Sequence, residues 1–236
     1  MAHVPPIALD PRPEVVTFDC YGTLIDWERG IADALRPILE RYGRAATDDQ
    51  VLELFAELES AAEAGPYLRY REVLRRVLEG VGERLCFEPS EAELAAFAGS
   101  VPEWPPFADT VEALTALGRR YRLVVLSNVD DDLIAGTLRH LPVDFHLVIT
   151  AEQIGSYKPS PRNFEIALAR IGLPKERILH VAQSLFHDIA PARRLGLRTV
   201  WVNRRAGRPG SGATAPSDAR PDFEVPDLRT LAEALA

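Results

Sequence analysis

The sequence predicts an α/β protein in which a doubly wound, Rossmann-like parallel sheet forms the core and a helical cap is inserted. Two observations support this fold class: short apolar segments alternate with helical segments, and one long interval contains helical segments only. Each apolar segment is nearly continuous in Val, Ile and Leu, as expected for a strand buried on both faces of a parallel sheet. The predicted strands are VVTF (15–18), RLVVLSN (122–128), FHLVI (145–149), ILHVA (178–182) and RTVWV (198–202).

The helical segments between these strands begin and end at residues that are typical of helix boundaries. FADTVEALTALGRR (107–120) has Asp109 as its candidate N-cap, and NFEIALARIGLP (163–174) closes at Gly172. A final helix, DLRTLAEALA (227–236), is expected to cover one face of the sheet.

The interval between Thr23 and Trp104 contains no predicted strand. Its helical segments are GIADALRPILERYG (30–43), DDQVLELFAELESAAEA (48–64), YLRYREVLRRVLEGVGERL (67–85) and SEAELAAFAGSV (90–101). Because open parallel sheets bind ligands beyond the carboxyl ends of their strands, an insertion after the first strand is expected to lie over the site like a lid. We therefore predict a core formed by residues 1–26 and 103–236 and a cap formed by residues 27–102.

The composition limits the classes of partner. The 236 residues are 47% hydrophobic and carry a net charge of -8, which disfavours a nucleic-acid-binding surface and favours a small-molecule partner. The apolar runs are far shorter than the roughly 20 residues of a membrane span. The first residues, MAHVPPIALDPRP, lack a basic region followed by an apolar one. We expect a cytoplasmic protein without a membrane partner; both a monomer and a homodimer are compatible with the sequence.

The two cysteines, Cys20 and Cys86, are too few for a disulfide framework or a zinc site, and both are predicted to be buried thiols. The segment 204–222, rich in Gly, Pro, Ser and Ala, is predicted to be a mobile surface loop. Its arginines, Arg204, Arg205 and Arg208, are expected to be solvated.

Six polar residues lie at or beyond the ends of predicted strands. Asp19 and Thr23 follow the first strand, Ser127 and Asn128 end the second, Lys158 lies in the segment GSYKPSP, and Asp188 lies just past ILHVA. Taken singly, each has an ordinary structural interpretation. Thr23 after Gly22 suits a turn, and Asp188 suits the first turn of a helix. In a parallel sheet, however, all six converge on one edge, which favours a shared site.

Four segments also occur in the order, and with the residues, of a known superfamily. FDCYGTL, VLSN, YKP and HVAQSLFHD resemble the four motifs of the haloacid dehalogenase superfamily. The resemblance covers nearly the whole chain, including the cap after the first motif. It implies a hydrolase that forms a covalent aspartyl-ester intermediate on Asp19. The other catalytic residues that it implies are Thr23, Lys158 and Asp188.

The side chains suit those roles. Asp19, removed from solvent and held near a cation, can attack an electrophilic carbon or phosphorus atom. Lys158 is the matching cation, because an opposite charge favours the ionised carboxylate. Ser127 and Asn128 supply a hydroxyl and an amide for a substrate anion. Asp188 is suited to orienting or deprotonating the water that hydrolyses the ester.

Two positions separate the branches of the superfamily. The phosphatase branch has a second Asp two residues after the nucleophile, where this chain has Tyr21. Expelling an alkoxide requires a proton, whereas a halide leaves without one, and Tyr is a poor proton donor at neutral pH. Gln183 replaces the first acidic residue of the fourth motif, which leaves Asp19 and Asp188 as the obvious Mg²⁺ ligands. No metal or other cofactor is therefore expected.

The chain thus resembles the (S)-2-haloacid dehalogenase branch, in which YGT follows the nucleophile. The resemblance implies that Asp19 displaces halide from carbon 2 of a small anionic 2-haloacid. Water then releases a 2-hydroxy acid, inverted at carbon 2. Tyr21, Ser127 and Asn128 are the substrate-binding residues expected from the core.

Two features depart from that branch. The fourth motif has one extra residue before Asp188, and Phe164 stands where the branch has a Tyr. The branch also uses a cap arginine to receive the halide, and the candidates here are Arg44, Arg69 and Arg71, each of which is otherwise an ordinary solvated residue.

Two alternatives remain open at this stage. One is a Mg²⁺-dependent phosphatase of a small phosphate ester that has moved its acid to another residue, with Asp19 and Asp188 as metal ligands. The other is a ligand-binding or interaction protein that has kept the fold and lost the chemistry.

Overall fold

The computed structural model describes residue 7, residues 9–208 and residues 212–236. Its core is a single six-stranded sheet in which all neighbouring strands are parallel. The strands are β1 (Val15–Phe18), β2 (Arg122–Ser127), β3 (Leu147–Thr150), β4 (Ile178–Ala182), β5 (Arg198–Val202) and β6 (Phe223–Val225), in the spatial order β3-β2-β1-β4-β5-β6. The predicted parallel α/β core is confirmed.

Ten α-helices accompany the sheet in the described part of the chain. They are α1 (Trp27–Arg41), α2 (Asp48–Glu63), α3 (Tyr70–Leu85), α4 (Glu91–Ala98), α5 (Thr110–Gly118), α6 (Asp131–Thr137), α7 (Ala151–Ile154), α8 (Pro161–Ile171), α9 (Ala190–Arg194) and α10 (Leu228–Ala234). None of the helices that the structure describes is both long and apolar enough to span a membrane.

The strand order reverses direction at β1, which lies between β2 and β4. Phe18, the last residue of β1, is in register with Val125 of β2 and Val181 of β4. Such a reversal opens a crevice beyond the carboxyl ends of the two strands where ligands bind in open α/β sheets. The segments after β1 and β4 therefore meet at this crevice.

The sixth strand was not predicted from the sequence. It is only three residues long, contains the exposed Glu224, and follows a segment rich in Pro and Ser, so it lacks the apolar run that marks the other strands. It forms because β5 has a free edge, with which Phe223–Val225 pairs in parallel.

The interval between β1 and β2 contains α1 to α4. Phe55 of α2, Leu74 of α3 and Phe97 of α4 are buried in an apolar cluster that continues into the sheet. The start of α3 is fixed by a residue outside the interval: Asp130, after β2, accepts hydrogen bonds from the backbone N–H groups of Tyr70 (2.8 Å) and Arg71 (3.0 Å). A buried carboxylate thus caps α3 in place of a local side chain.

The prediction for the 204–222 segment was wrong at two arginines. Arg204 pairs with Asp109 at 2.8 Å, donates to the Thr23 carbonyl at 2.9 Å and stacks on Phe107 at 4.0 Å. Arg205 pairs with Glu28 at 2.6 Å. Residues 209–211 of the segment lie outside the described residues.

Two smaller expectations also require correction. Cys20 is buried as expected, but Cys86 is exposed; it lies at the C-terminal end of α3, in the left-handed conformation at φ 57°. Asp109 stands at the start of α5 but makes no capping bond to it. Its carboxylate instead accepts from the N–H of Leu228 at 2.7 Å and so caps α10, because that helix begins beside it.

Candidate active site

Three charged side chains meet beyond the carboxyl ends of the central strands. The Lys158 Nζ donates to Asp19 Oδ1 at 2.8 Å, to Asp188 Oδ1 at 2.7 Å and to the Leu126 carbonyl at 3.0 Å. All three charged residues are buried. One ammonium group therefore bridges two carboxylates away from water.

The turn after β1 presents Asp19 to this cluster. The Asp19 N–H donates to the Val181 carbonyl at 3.1 Å, which extends the β1–β4 ladder by one residue. The chain then turns sharply at Gly22, whose φ is +89°. A Cβ on Gly22 would lie 2.8 Å from the Trp27 Nε1, so both the backbone conformation and the space require glycine here.

Thr23 orients the second carboxylate oxygen. Its hydroxyl donates to Asp19 Oδ2 at 2.8 Å and accepts from the Gln183 N–H at 2.9 Å. The hydroxyl thus joins the turn after β1 to the segment after β4 and fixes the rotation of the Asp19 carboxylate.

We expect Thr23→Val to impair the site by removing this link. Valine keeps the approximate shape but leaves the buried Gln183 N–H unpaired, so the free energy of unfolding should fall by about 1–3 kcal/mol. A misoriented Asp19 should lower kcat/KM by about 10- to 100-fold. Steady-state kinetics and urea unfolding measure the two effects. The control is Thr115→Val on α5, an exposed position whose hydroxyl bonds only the Val111 carbonyl of its own helix; equal effects in both variants would contradict the prediction.

Lys158 is held by Asn128. The Asn128 amide donates to the Lys158 carbonyl at 2.9 Å, and its carbonyl oxygen accepts from the Lys158 N–H at 2.7 Å. Although Asn128 borders the cavity, both ends of its amide are occupied by this backbone. It therefore positions the lysine, a role that differs from the expected binding of substrate.

Asp188 reaches the lysine through a π-helical turn that covers Leu185–Ile189. The Ile189 N–H donates to the Ser184 carbonyl at 3.1 Å, five residues earlier. A π turn holds one residue more than an α turn. It therefore absorbs the extra residue of the fourth motif and brings Asp188 to Lys158.

His180 extends the network on the β4 side and was not predicted from the sequence. Its Nε2 lies 3.1 Å from Asp188 Oδ1, and its Nδ1 lies 2.8 Å from the Thr17 hydroxyl. The Nε2 is thus placed to donate to the carboxylate, while the Nδ1 faces the Thr17 hydroxyl. His180 is in register with Thr17. The presence of one polar residue in each of these two otherwise apolar strands was the sequence signal that could have identified His180.

Burial and the ammonium have opposing effects on the two carboxylates. Burial raises the pKa of Asp19 above its ordinary value. Lys158 lowers it, in the direction expected from the sequence, but does not fully offset the burial. Burial also acts against ionisation of Asp188, but Lys158 and a hydrogen bond from His180 outweigh it and lower the pKa of Asp188. Burial disfavours the charge of Lys158, and the two carboxylates overcome this and raise its pKa to about 12.

The cluster borders a cavity of about 30 Å³, hereafter the central cavity. Three buried polar atoms on its wall have no hydrogen-bond partner: the Ser127 Oγ, the Gln183 Oε1 and the Asp188 Oδ2. Buried polar atoms are usually paired, so unpaired ones around a cavity indicate groups that a ligand or water would satisfy. Ser127 is thus placed where the sequence expected a substrate-binding hydroxyl.

The helices between β1 and β2 contribute acidic and aromatic groups to the central cavity: Trp27, Glu59, Glu63 and Tyr70. The Tyr70 hydroxyl donates to Glu59 Oε1 at 2.6 Å. The two glutamates were not singled out in the sequence. Glu59 occupies the buried face of α2 together with Leu52 and Phe55, and a charged residue on an apolar stripe was the signal that could have found it.

The expected cap arginines do not face the central cavity. Arg44 is exposed and donates to the Cys86 carbonyl. Arg71 pairs with Asp132 at 2.6 Å, and Arg69 pairs with Glu152 at 3.0 Å. No arginine lines the cavity in the described part of the chain. Each candidate points elsewhere because carboxylates or a carbonyl outside the cavity already bind its guanidinium.

Tyr21 borders the central cavity, but its hydroxyl lies 2.9 Å from the Thr137 hydroxyl, and its ring packs edge-on against Trp104. Burial raises the pKa of Tyr21 well above its ordinary value. The phenol therefore serves the packing between the turn after β1 and α6, and its hydroxyl is engaged away from Asp19.

His187 and Phe164 occupy structural positions beside the site. Burial lowers the pKa of His187 to about 4, although the charge of Asp188 acts in the opposite direction, and the ring is neutral at pH 7. The backbone N–H of His187 donates to the Ser184 hydroxyl at 2.9 Å. Phe164 is buried with its ring edge-on to His180 at 5.2 Å. Neither side chain therefore adds a positive charge to the cavity at neutral pH.

The donor set does not fit Mg²⁺. Asp19 and Asp188 direct one oxygen each at the Lys158 ammonium, and Gln183 replaces the further carboxylate. Within residues 7, 9–208 and 212–236, no group of three or more His, Cys, Asp or Glu side chains is arranged to hold a metal ion. Since a hard cation prefers several carboxylate oxygens, these residues do not form a suitable Mg²⁺ site.

Comparisons with known proteins identify the family of this chain. The family model for haloacid dehalogenase-like hydrolases matches residues 13–196, and the chain therefore belongs to this family of hydrolases. Haloacetate dehalogenase H-2 of Moraxella sp. is 27% identical over 229 residues, which is 94% of this chain and 98% of the relative. Phosphoserine phosphatase of Thermus thermophilus is 36% identical over 187 residues, which is 74% of this chain and 68% of the relative.

The fold has solved relatives as well. The L-2-haloacid dehalogenase of Xanthobacter autotrophicus with chloropropionic acid covalently bound superimposes with a TM-score of 0.78 at 22% identity, covering 94% of this chain and 97% of that chain. At this identity the likeness shows the fold. The family is thus established, and the relatives include both dehalogenases and phosphatases.

Proposed function

We propose that this hydrolase cleaves the carbon–halogen bond of small 2-haloacids through an aspartyl-ester intermediate, without a metal. The observation that carries the proposal is the buried Asp19–Lys158–Asp188 cluster, in which the lysine occupies one oxygen of each carboxylate. An ammonium at this place leaves Asp19 as a nucleophile and provides a positive charge for a small anionic substrate.

The first step forms the ester. An oxygen of Asp19 attacks carbon 2 of the haloacid, and the electron pair of the carbon–halogen bond leaves with the halide. Thr23 and Lys158 hold the carboxylate during the attack. The unpaired Ser127 hydroxyl is available to the substrate carboxylate. A displacement of this kind inverts carbon 2.

The second step hydrolyses the ester. Water attacks the carbonyl carbon of Asp19, the bond between that carbon and the ester oxygen breaks, and the 2-hydroxy acid leaves with Asp19 restored. Asp188 accepts the proton of the water and passes it to the departing alkoxide oxygen, because its lowered pKa keeps it ionised before the attack and its Oδ2 is free of hydrogen bonds. His180 supports Asp188 by donating to its other oxygen.

Residues 27–102 act as the cap in this proposal, over a core of residues 1–26 and 103–236. Residues 1–6, 8 and 209–211 of that core lie outside the described part. Trp27, Glu59, Glu63 and Tyr70 border the central cavity from the cap side and limit it to small substrates. The cytoplasmic location and the oligomeric state stay predictions.

The proposal predicts halide release without added metal. Purified protein should release chloride from chloroacetate or 2-chloropropionate in the presence of EDTA, at a rate proportional to enzyme, with p-nitrophenyl phosphate as the comparison substrate. Chloride is measured by ion chromatography. Magnesium-stimulated hydrolysis of p-nitrophenyl phosphate that EDTA abolishes, with no chloride release, would refute dehalogenation and assign the phosphatase activity.

The phosphatase alternative has one specific observation in its favour, the 36% identity to a relative named as a phosphoserine phosphatase. Against it, Tyr21 directs its hydroxyl to Thr137, and Gln183 removes a metal ligand. The alternative of a binding protein without activity is disfavoured, because the nucleophile, its lysine and Asp188 are all present and in contact.

A further inference from the structure

Two cap carboxylates face the nucleophile across the central cavity. Glu59 and Glu63 lie four residues apart on one face of α2, and both border the same cavity as Asp19 and Lys158. Within the described residues, neither glutamate forms a salt bridge, and Glu63 has no hydrogen-bond partner. Opposite them, the buried Ser127 Oγ and the Gln183 Oε1 are also unpaired. The core wall of the cavity therefore carries unsatisfied polar atoms, and the cap wall carries two carboxyl groups.

We propose that Glu63, supported by Glu59, donates a hydrogen bond to the departing halide and that the site is thereby suited to 2-fluoroacids. This inference rests on the proposed dehalogenation and names the leaving group for which the cap is built. It assigns to the cap a neutral acid in the place where an arginine was expected from the sequence.

Geometry places the leaving group on the cap side. In a displacement at carbon, the halide departs on the side opposite the attacking Asp19 oxygen. Lys158 is committed to the two aspartates, and no arginine lines the cavity within the described residues. The group that meets the halide must therefore come from the cap, where Glu63 is the unpaired polar side chain.

The surroundings of Glu63 favour its protonated form. Burial, and then the charge of Glu59, raise the pKa of Glu63 well above its ordinary value, while Lys158 acts in the opposite direction. Burial raises the pKa of Glu59 to about 7, although a hydrogen bond from Tyr70 opposes this. The other titratable groups with a charge interaction at Glu63 are Tyr70 and Tyr157, and burial raises the pKa of both, so they stay neutral.

A neutral carboxylic acid suits fluoride better than the larger halides. Fluoride is the smallest halide and the strongest hydrogen-bond acceptor among the halides, so it gains most from an O–H donor. When Asp19 attacks, the electron pair of the carbon–fluorine bond moves to fluoride. The Glu63 O–H donates to that fluoride and keeps its proton, and fluoride then exchanges with water. An ionised Glu63 would repel the departing anion instead.

The experiment compares kcat/KM for fluoroacetate and chloroacetate in the wild type, Glu63→Met and Glu63→Gln. Because a hydrogen bond to a charged group is lost, Glu63→Met should reduce the fluoroacetate value about 10- to 100-fold more than the chloroacetate value. Glu63→Gln should restore part of the loss, since its amide N–H also donates. The ratio of the fluoroacetate value to the chloroacetate value is measured within one variant, so it does not depend on the fraction of folded protein.

The pH profile gives a second readout. Wild-type activity on fluoroacetate should fall as pH rises through the pKa of Glu63, because the neutral form is the donor. Glu63→Gln cannot ionise and should lack this decline. The control is Glu53→Gln, an exposed glutamate on the same helix that should match the wild type in both measurements.

The outcomes separate this inference from the proposed function. Equal losses on both substrates in Glu63→Met would refute the leaving-group role and leave dehalogenation intact. No halide release by the wild type from either substrate would refute both. Competitive inhibition of the wild type by methylammonium, absent in Glu63→Met, would also overturn the inference, because it would show an ionised pair that binds cations.

Discussion

Asp19→Asn is expected to lower the rate of hydrolysis by about 10⁴-fold or more, because an amide oxygen does not form the covalent ester. The rest of the site should persist, since asparagine has nearly the same shape and the Thr23 hydroxyl can still donate to its oxygen. Lys158 retains Asp188 as its partner at 2.7 Å. Halide release under single-turnover and steady-state conditions measures the loss.

Asp33→Asn is the matched control, because it makes the same exchange of acid for amide on the exposed face of α1. Its activity should equal that of the wild type. Turnover in water enriched in heavy oxygen adds a direct test: the wild-type Asp19 side chain should acquire the label by mass spectrometry of its peptide. Residual turnover of Asp19→Asn at a tenth of the wild-type rate, or an unlabelled Asp19, would contradict the mechanism.

Asp19→Asn should not lose stability. The folded pKa of Asp19 is raised above 3.8, chiefly by burial. An ionised Asp19 therefore opposes folding, and the stability that its protonated form provides is lost as pH rises through the raised pKa. At pH 7 the free energy of unfolding of Asp19→Asn should equal or exceed that of the wild type. A nucleophile that costs stability is what a preorganised site requires.

The fold was largely predictable because its signals are local. Each of the first five strands is a nearly continuous apolar run in the sequence, which is the pattern expected for a strand buried on both faces of a sheet. The strand Phe223–Val225 lacks such an apolar run, and it forms by pairing with the free edge of β5. Similarly, the composition around Arg204 is typical of a loop. Its contacts with Asp109 and Phe107, which lie about a hundred residues earlier in the chain, are not visible in that local composition.

The core side of the site was predictable for a different reason. Asp19 and Asp188 follow strands whose carboxyl ends must meet in a parallel sheet, so order along the chain carried spatial information. The cap side had no such constraint. Whether Glu63 or Arg71 faces Asp19 depends on how α2 and α3 pack on the sheet, and helical periodicity alone does not fix that rotation.

Lys158→Met is expected to produce the second large effect, now on stability as well as activity. Removing the ammonium leaves Asp19 and Asp188 buried without a cation, and breaking a buried ion pair in this way costs about 3–5 kcal/mol. Hydrolysis should fall below detection, because nothing then offsets the burial of an ionised nucleophile. Urea unfolding at pH 7 and halide release measure the two losses.

The pH dependence distinguishes this electrostatic loss from poor packing of methionine. Without Lys158, burial and mutual repulsion raise the pKa of both carboxyl groups above 3.8, so the stability of the variant is lost as pH rises through those values. The deficit relative to the wild type should therefore be larger at pH 7 than at pH 5. Lys175→Met, at the only other lysine of the chain, is the control, since Lys175 is exposed and donates only to the Leu195 carbonyl at 3.2 Å. A deficit that is the same at both pH values would mean that the ammonium charge is not what holds Asp19 and Asp188 together.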